Sequence, residues 1–381
     1  MVISRLILRN WKNFKDLDIE LQDRVFIVGA NASGKSNLLD VFRFLRDIAK
    51  PGGGLKKSID DRGGVTKIRS LAARRHPDIE IEVHLSNFGS RDILWRYAIG
   101  IKQESRGYRE PYLSYEKVWE RDQQILNRPE KEDNKDIVRL TQTYLEQINT
   151  NKPFREIARF FENILYLHLI PQLLRFPSAF IGPDIPGDPF GKGFLERIAK
   201  VNEKTRDAWL HKIEIALKLA VPQLNKLKYT TELGYPHLEA LYEHWRPGAG
   251  KQKEDQFSDG TLRLIGLLWS LQEGDSMLLL EEPELSLNGA IVSKLPPLIY
   301  KFQKNRKRQV LLSTHSSDLL NDKGISLNEI VVLEPSSEGT KASISATIQE
   351  VQDMLNVGMS PASAILPRIK PKDINQLTLS L

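Results

Sequence analysis

A short glycine-rich segment near the amino terminus carries the residue types that bind phosphate groups. Residues 29–36 read GANASGKS, after the apolar run RVFIV and before apolar residues at helical spacing. Glycines and small residues let backbone N–H groups turn towards anionic oxygens, and a following helix directs its free N–H groups to the same place. Lys35 is expected to reach the β- and γ-phosphates of a nucleotide, and the Ser36 hydroxyl to bind Mg²⁺. The segment therefore predicts a nucleotide site, with an ordinary glycine-rich turn as the alternative.

Two adjacent carboxylates, Glu281 and Glu282, come directly after a second apolar run, Met277–Leu280. Ligands bind beyond the carboxyl ends of strands in an open parallel sheet, so these acids are expected at the edge that carries the glycine-rich segment. By their order along the strand, Glu281 is assigned to the metal, and Glu282 to orienting and deprotonating an attacking water. Alone, such a pair is more often the solvated start of a helix, and only the glycine-rich segment favours the catalytic interpretation.

Two weaker signals accompany these segments. Residues 257–261 read FSDGT and precede a predicted helix, so Ser258 or Asp259 is expected to cap free helix N–H groups. A capped helix N-terminus that faces outward is also an anion site, so this interpretation is compatible with a functional one. A further strand ends in Thr314-His315, and a lone histidine there is usually a surface or core residue. The histidine gains interest only because it follows the other segments in order.

The elements that must position these segments predict an α/β fold. Strands are predicted at 3–8, 17–21, 24–28, 79–85, 93–101, 112–119, 277–280, 309–313 and 329–333. Helices are predicted at 35–50, 137–148, 154–174, 194–227, from 261 and near 290–304. Strands 79–119 indicate an antiparallel meander. Residues 1–120 and 246–345 are interpreted as the two halves of one domain, 121–245 as a mostly helical insertion lobe, and 346–381 as a partly irregular tail.

Composition narrows the class of protein. A chain of 381 residues without cysteine has no disulfides and no thiol catalysis, and fits the reducing cytoplasm. No run approaches the ~18 apolar residues that a membrane span needs, and no membrane partner is expected. The net charge of +6 permits contact with DNA, with Arg62–Arg75 and Lys301–Arg308 as candidate segments. For the second segment, cations favoured at a helix C-terminus are the alternative explanation.

Taken together, the motifs resemble those of the ABC ATPases, and within them the RecF/SMC-like ATPases. The resemblance is carried by GANASGKSN at 29–37, FSDGT at 257–261, LLLEEPE at 278–284, STH at 313–315 and the opening ISRLILRNWKNFKDLDIEL at 3–21. It covers about the first 120 residues and the stretch from 250 to 335. Within this group, the chain resembles stand-alone bacterial ATPases related to the OLD-family and anti-phage defence ATPases. The resemblance implies a P-loop NTPase fold with an ABC-type head.

The resemblance also implies ATP and Mg²⁺ as cofactors, and roles for the motif residues. Residues 29–36 match the Walker A loop, Glu281 the Walker B acid that holds Mg²⁺ with Ser36, Glu282 the catalytic glutamate and His315 a switch histidine. Lys35 is counted among the catalytic residues because it contacts the reacting phosphates. The nucleotide-binding residues expected on this basis are Gly29, Ala30, Asn31, Ala32, Ser33, Gly34, Lys35, Ser36, Asn37, Ser258 and Gly260.

A homodimer closed around two nucleotides is a further implication of the resemblance, with higher oligomers also open. Ser258 and Gly260 match the signature turn, which contacts the γ-phosphate bound by the other subunit, and Leu285–Asn288 match the D-loop at the dimer seam. The chain departs from the family pattern at Glu281, where an aspartate is usual, and in the signature turn at Asp259 and Thr261. Gln103 is a candidate for the Q-loop glutamine by rough position only. The insertion is too short for a long coiled-coil arm.

Several functions remain open at this point. The first is an ATPase whose cycle regulates a protein effector, a nuclease or toxin, in an anti-phage defence system. The second is a RecF-like repair ATPase that binds DNA directly. The third is an ATP-gated scaffold that hydrolyses slowly, which the longer Glu281 keeps open. A transporter motor subunit is disfavoured by the large insertion and the N-terminal sequence.

Overall fold

Two six-stranded sheets form the frame of the protein. The computed structural model describes residues 1–73, 77–104, 110–176, 188–243 and 250–370. The first sheet is antiparallel, in the order β2-β1-β4-β5-β6-β7. Its strands are β1 (Val2–Trp11), β2 (Phe14–Glu20), β4 (Ile79–Ser86), β5 (Ile93–Gln103), β6 (Pro111–Glu120) and β7 (Gln123–Arg128). The predicted opening strands and antiparallel meander are therefore confirmed.

The second sheet is mainly parallel and has the order β15-β14-β3-β13-β12-β8. Its strands are β3 (Arg24–Gly29), β8 (Leu165–Leu167), β12 (Leu278–Glu281), β13 (Val310–Thr314), β14 (Ile330–Ser336) and β15 (Gly339–Ile344). Only the β14–β15 pair is antiparallel. A third, three-stranded sheet pairs β9 (Leu224–Glu232), β10 (Tyr235–Tyr242) and β11 (Lys251–Lys253).

Helices pack against both six-stranded sheets. They are α1 (Lys35–Ala49), α2 (Leu55–Asp60), α3 (Val65–Ile68), α4 (Lys131–Lys135), α5 (Arg155–Glu162), α6 (Pro171–Arg175), α7 (Phe194–Lys200), α8 (Glu203–Ala220), α9 (Asp259–Gln272), α10 (Gly289–Val292), α11 (Leu295–Arg306), α12 (Ser317–Leu320), α13 (Gln349–Asn356) and α14 (Pro361–Ile369). Among them, no helix of the described residues is both long and apolar enough to cross a membrane.

Both faces of the parallel sheet are buried, which explains the continuous apolar runs of its strands. Side chains alternate between faces along a strand, so Val25 and Ile27 join a core with the antiparallel sheet, α1 and α5. Phe26 and Val28 point the other way, into a core with α8, α9 and α14. The sheet is thus held between two apolar layers, and its carboxyl edge is a fixed platform for polar side chains.

The interpretation of residues 121–245 as mostly helical is wrong for several elements. The region contains β7, β8, β9 and β10, and β8 is a strand of the parallel sheet itself. The predicted helix 154–174 is in fact α5, then β8, then α6. A short buried strand cannot be told from a buried helix turn by apolar spacing alone, which accounts for the error. The division into a head and an insertion stays a prediction.

The predicted elements near the carboxyl terminus are also corrected. Residues 346–381 are predicted to form a partly irregular tail, but the described residues after 345 include two helices, α13 and α14. The predicted helix near 290–304 is two helices, because Pro296 and Pro297 begin α11 and cannot continue α10. Residues 371–381 of the predicted tail lie outside the described part of the chain.

Candidate nucleotide site at the carboxyl edge of the parallel sheet

The glycine-rich segment, residues 29–36, forms the loop between β3 and α1 and is called the phosphate loop below. The side chain of Lys35 is buried, and its Nζ donates hydrogen bonds to the carbonyl oxygens of Gly29 at 3.0 Å and Ala30 at 3.2 Å. The same Nζ lies 3.9 Å from Oε1 of Glu282. The loop therefore bends around the lysine ammonium group, which concentrates positive charge at the carboxyl edge of the sheet.

Side chains from two other segments hold the phosphate loop from outside. The Asn13 amide donates to the carbonyl oxygen of Ser33 at 3.0 Å, and the Thr340 hydroxyl donates to the same oxygen at 2.8 Å. Asn37 in turn donates to Oδ1 of Asn13 at 2.8 Å. Gly34 has φ of 101°, and a Cβ there would lie 2.1 Å from the Asn13 amide nitrogen, so both the backbone and the packing require glycine. Sequence reasoning missed the supporting roles of Asn13 and Thr340.

The acidic pair, Glu281 and Glu282, lies at the end of β12 and points in two directions. The carboxylate of Glu281 accepts hydrogen bonds from the hydroxyls of Ser36 and Tyr166. Glu282 has a positive φ of 45°, a rare conformation for a non-glycine residue, and its Oε1 lies 3.2 Å from Nδ1 of His315. Such backbone strain is typical of functional sites. The structure thus places the two carboxylates at the Ser36 hydroxyl and at His315, respectively.

Glu284 is a site residue that sequence reasoning missed. The Thr314 hydroxyl donates to Oε1 of Glu284 at 2.5 Å and accepts from the backbone N–H of Ser316 at 3.0 Å. Burial raises the pKa of Glu284, and its Oε2 has no hydrogen-bond partner among the described residues. Glu284 thereby ties the chain after the acidic pair to the segment that carries His315.

The Ser258–Thr261 turn begins α9, as the capping interpretation predicted. The Ser258 hydroxyl accepts from the backbone N–H of Thr261 at 3.2 Å, and Asp259 is held by Arg175 at 2.6 Å. In the described ranges, no hydrogen bond joins Ser258 or Gly260 to the phosphate loop. A Cβ on Gly260 would lie 2.7 Å from the carbonyl oxygen of Ser286, so the turn packs closely on residues 285–288 of the same chain.

Gln103 and the acidic pair belong to different sheets. Gln103 ends β5 in the antiparallel sheet, where it lines a cavity with Arg9 and Lys102. The strands that adjoin β12 in the parallel sheet are β13 and β8. His168, directly after β8, places its Nδ1 3.3 Å from the carbonyl oxygen of Glu281. A position estimated along the sequence could not show which strand adjoins the acidic pair.

The donor set at the end of β12 fits Mg²⁺ bound together with a nucleotide. Among the described residues, no cluster of three or more histidine or acidic side chains could hold a metal. Mg²⁺ usually takes only one or two protein ligands and completes its shell with phosphate oxygens and water. The oxygen atoms of Ser36 and Glu281, already in contact, can supply that share.

A cavity of about 720 Å³ adjoins the phosphate loop on the side of His315. It is lined by Gly29–Asn31, by His315 and, across from them, by Ala362 and Leu366 of α14. Helix α14 thus forms one wall beside the phosphate loop. The interpretation of residues 346–381 as a tail does not predict this wall.

In each of the two basic segments considered for DNA contact, one arginine side chain makes contacts inside the protein. The side chain of Arg62 is 9% exposed and pairs with Asp40 at 2.9 Å and Asp47 at 3.0 Å. Arg308 is buried, and its guanidinium donates to the carbonyl oxygens of three residues, Ser270, Glu273 and Ser276. Residues 74 and 75 lie outside the described residues. These contacts remove two of the expected cations from any nucleic-acid surface.

The fold and the site define an ABC-type P-loop ATPase head. An SMC head bound to the C-winged helix domain of ScpA matches with a TM-score of 0.52 and 15% identity, over 90% of this chain and 98% of that chain. The SMC head domain from Thermotoga maritima matches with a TM-score of 0.47 and 16% identity, over 90% of this chain and 99% of that one. The mixed α/β head architecture predicted from the motifs is confirmed by the first of these matches.

The chain belongs to the family described as "AAA domain, putative AbiEii toxin, Type IV TA system", whose model matches residues 24–321. A DNA replication and repair protein RecF from Bacillus cytotoxicus is 30% identical over 98 residues, which are 24% of this chain. The match spans only 25% of that RecF protein. The resemblance to RecF/SMC-like ATPases stated from the motifs is confirmed, and the protein is an ATP-binding P-loop ATPase of the ABC type.

Proposed function

We propose that this protein hydrolyses Mg-ATP as a homodimer and that its ATP cycle controls a protein effector, a nuclease or toxin, in a bacterial anti-phage defence system. The observation that carries the ATPase part is the meeting of three distant segments. Lys35 lies 3.9 Å from Glu282, Ser36 donates to Glu281, and His315 lies 3.2 Å from Glu282. A phosphate-binding cation, a metal-ligand pair and a base are then within reach of one γ-phosphate.

Each residue has a distinct task in the proposed reaction. Lys35 neutralises charge on the β- and γ-phosphates, and Ser36 with Glu281 holds Mg²⁺, which offsets the charge that develops on the transferring phosphoryl group. Glu282 accepts a proton from the attacking water. His315 keeps the Glu282 carboxylate oriented and contacts the γ-phosphate from the same side. The residue roles predicted from the motifs are thereby retained as parts of the proposal.

Dimerisation is proposed because the signature turn makes no hydrogen bond with the phosphate loop of its own chain. The Ser258 side chain caps α9, and Gly260 is the second residue of this helix. A helix N-terminus attracts anions. A second copy can present this turn to the bound γ-phosphate, which would complete each site with residues of both chains.

The effector part of the proposal is supported by the family description, which names a toxin and a Type IV TA system. A cysteine-free chain of this family fits action in the cytoplasm. A direct role on DNA is the second candidate, and the RecF match over 98 residues favours it. The two candidates differ in whether DNA or a protein responds to the nucleotide state.

Replacing Lys35 with alanine is expected to weaken ATP binding by roughly 10- to 100-fold, because hydrogen bonds to charged groups contribute about 1.5–3 kcal/mol each. The loss is expected in equilibrium titrations with ATP and Mg²⁺. The matched control is Lys15→Ala, which removes an exposed lysine paired with Glu338. Equal affinity of the Lys35→Ala and parent proteins would contradict the assignment of the phosphate site.

A direct role on DNA predicts a steep salt dependence of binding. We expect only weak binding at physiological salt, because Arg62 and Arg308 are committed to internal contacts. The triple variant of Lys301, Lys304 and Lys307, each replaced by alanine, removes the exposed lysines of the second basic segment. If these lysines bind phosphates, the slope of log affinity against log salt falls by about three units. Tight, ATP-dependent DNA binding with that change in slope would favour the RecF-like function.

A further inference from the structure

Tyr166 contacts the metal-binding carboxylate from the side opposite to Ser36. Its hydroxyl donates to Oε2 of Glu281, while the Ser36 hydroxyl donates to Oε1. The tyrosine is 4% exposed, so its contact with the carboxylate is shielded from water. The carboxylate of Glu281 is therefore held at both oxygens.

The parallel pairing of β8 with β12 places Tyr166 on the correct face. Tyr166 is paired with Leu279, and Glu281 follows two residues later along β12. Side chains two residues apart on a strand share a face, so Tyr166 and Glu281 project to the same side of the sheet. The contact is thus fixed by backbone pairing of two buried strands and not by a mobile loop.

Helix α1 holds the tyrosine ring from the other side. The guanidinium of Arg43 lies 4.3 Å from the centre of the Tyr166 ring, a cation–π contact. Ser36, Asp40 and Arg43 lie at i, i+4 and i+7 on one face of α1. Burial opposes ionisation of Asp40, but Arg62 and Lys12 more than offset it and lower its pKa to about 2. Asp40 is therefore a fixed anion, 3.7 Å from Arg43.

We propose that Tyr166 is a positioning residue for Glu281, which sets the carboxylate so that Oε1 faces the Mg²⁺ bound with ATP. The inference rests on the proposed function, since it concerns the metal of that same site. A glutamate has one more rotatable bond than an aspartate, so its carboxylate can take more positions. A donor on Oε2 removes that freedom. Groups that orient metal ligands typically change metal affinity by about 10–100-fold when they are removed.

The test is Tyr166→Phe, which keeps the ring and its contact with Arg43 but removes the hydroxyl. Binding of AMP-PNP is titrated with Mg²⁺, so no hydrolysis is required. We expect the Mg²⁺ concentration for half-maximal binding to rise about tenfold, with nucleotide affinity in the absence of metal unchanged. The matched control is Tyr229→Phe. The Tyr229 ring lies 4.0 Å from the Arg206 guanidinium, but the residue belongs to β9 of the three-stranded sheet and not to the parallel sheet. This variant is expected to bind Mg²⁺ as the parent does.

A double-mutant cycle with Glu281→Asp separates positioning from a general effect on the fold. The shorter aspartate cannot keep both contacts, so Tyr166→Phe is expected to cause little further change in that background. Should Tyr166→Phe fail to fold, Arg43→Met loosens the same ring and is expected to shift the Mg²⁺ requirement in the same direction. A parent protein that needs no Mg²⁺ for AMP-PNP would instead remove the proposed function. A normal Mg²⁺ requirement in Tyr166→Phe, or an equal shift in Tyr229→Phe, would overturn the positioning role alone.

Discussion

Replacement of Glu282 by glutamine is expected to lower the rate of phosphate release by about 10²- to 10⁴-fold, the usual contribution of a positioned general base. Binding of Mg-ATP is expected to remain. Glutamine has nearly the same shape as glutamate but cannot accept the proton of the attacking water. The variant should therefore accumulate in the ATP-bound state, and a dimer closed around two nucleotides should become the main species in light scattering.

The surroundings of Glu282 explain why loss of this one carboxylate is expected to slow ATP hydrolysis. Its backbone turns into the left-handed region at φ of 45°, which separates its side chain from that of Glu281. Its Oε1 lies 3.2 Å from Nδ1 of His315 and 3.9 Å from Nζ of Lys35. The carboxylate thus stands between the group that binds phosphate and the histidine of the next strand. A water in line with the γ-phosphate would be within its reach.

The measurement is phosphate release at saturating ATP, with nucleotide binding and mass measured on the same samples. Glu162→Gln, an exposed acid at the end of α5, is the matched control and is expected to hydrolyse ATP like the parent. An unchanged rate in Glu282→Gln would remove Glu282 from the proposed role. A parent protein as slow as the variant, but still able to dimerise with ATP, would favour the ATP-gated scaffold.

The residues that meet at the candidate site could be predicted from the sequence because each lies in a short motif with its own local mechanism. The phosphate loop, for example, needs small residues, Lys35 and Ser36 within eight positions after a buried strand. The bounds of β3 and α1 agree with the predicted ones to within one residue. Glu281 and Glu282 follow a strand so apolar that it had to lie inside a parallel sheet. Local sequence therefore determined both the segments and the edge at which they meet.

The residues that support the site could not be predicted, because their positions depend on pairing between distant segments. Tyr166 lies in an apolar run that matched a helix, and only its pairing with β12 shows that it is a strand residue. Asn13, between β1 and β2, and Thr340, in β15, both reach the phosphate loop although they lie 327 positions apart in the sequence. In the sequence, Glu284 is simply one more acidic residue after β12. Only the fold shows that it is buried and bonded to Thr314.

Outside the nucleotide site, a fully buried ionic cluster joins the antiparallel sheet to the chain that follows it. Arg128 donates to Glu116 at 2.9 Å and to Asp133 at 3.0 Å, and all three side chains are 0% exposed. Glu116 also accepts from the backbone N–H groups of Tyr144 at 2.7 Å and Leu145 at 3.2 Å. Side-chain hydrogen bonds of this cluster, and not backbone pairing of strands, connect β6 to residues 142–145.

Removal of the central cation is expected to be among the most destabilising single changes in the protein. Arg128→Met removes the cation that pairs with Glu116 and leaves buried Asp133 with Arg139 alone. Breaking a buried ion pair in this way typically costs about 3–5 kcal/mol in the free energy of unfolding. Urea unfolding followed by tryptophan fluorescence measures the loss. The control is Arg5→Met, which breaks a half-exposed pair with Asp18 and is expected to cost less than about 1 kcal/mol.

The stability lost in Arg128→Met is expected to depend on pH, because the protonation of Glu116 and Asp133 changes with pH. Burial raises the pKa of Asp133, but the hydrogen bond from Arg128 and other donors lower it from 3.8 to about 2. A lowered folded-state pKa stabilises the fold above the unfolded value, and that contribution disappears as the pH falls from about 4 to about 2. Burial raises the pKa of Glu116, so this carboxyl takes up its proton at a higher pH than Asp133 does. The difference between parent and Arg128→Met is therefore expected to be full at neutral pH and to shrink in the acid range, as first Glu116 and then Asp133 is protonated. A difference that stays constant down to pH 2 would mean that lost packing, and not the unpaired carboxylates, destabilises the variant.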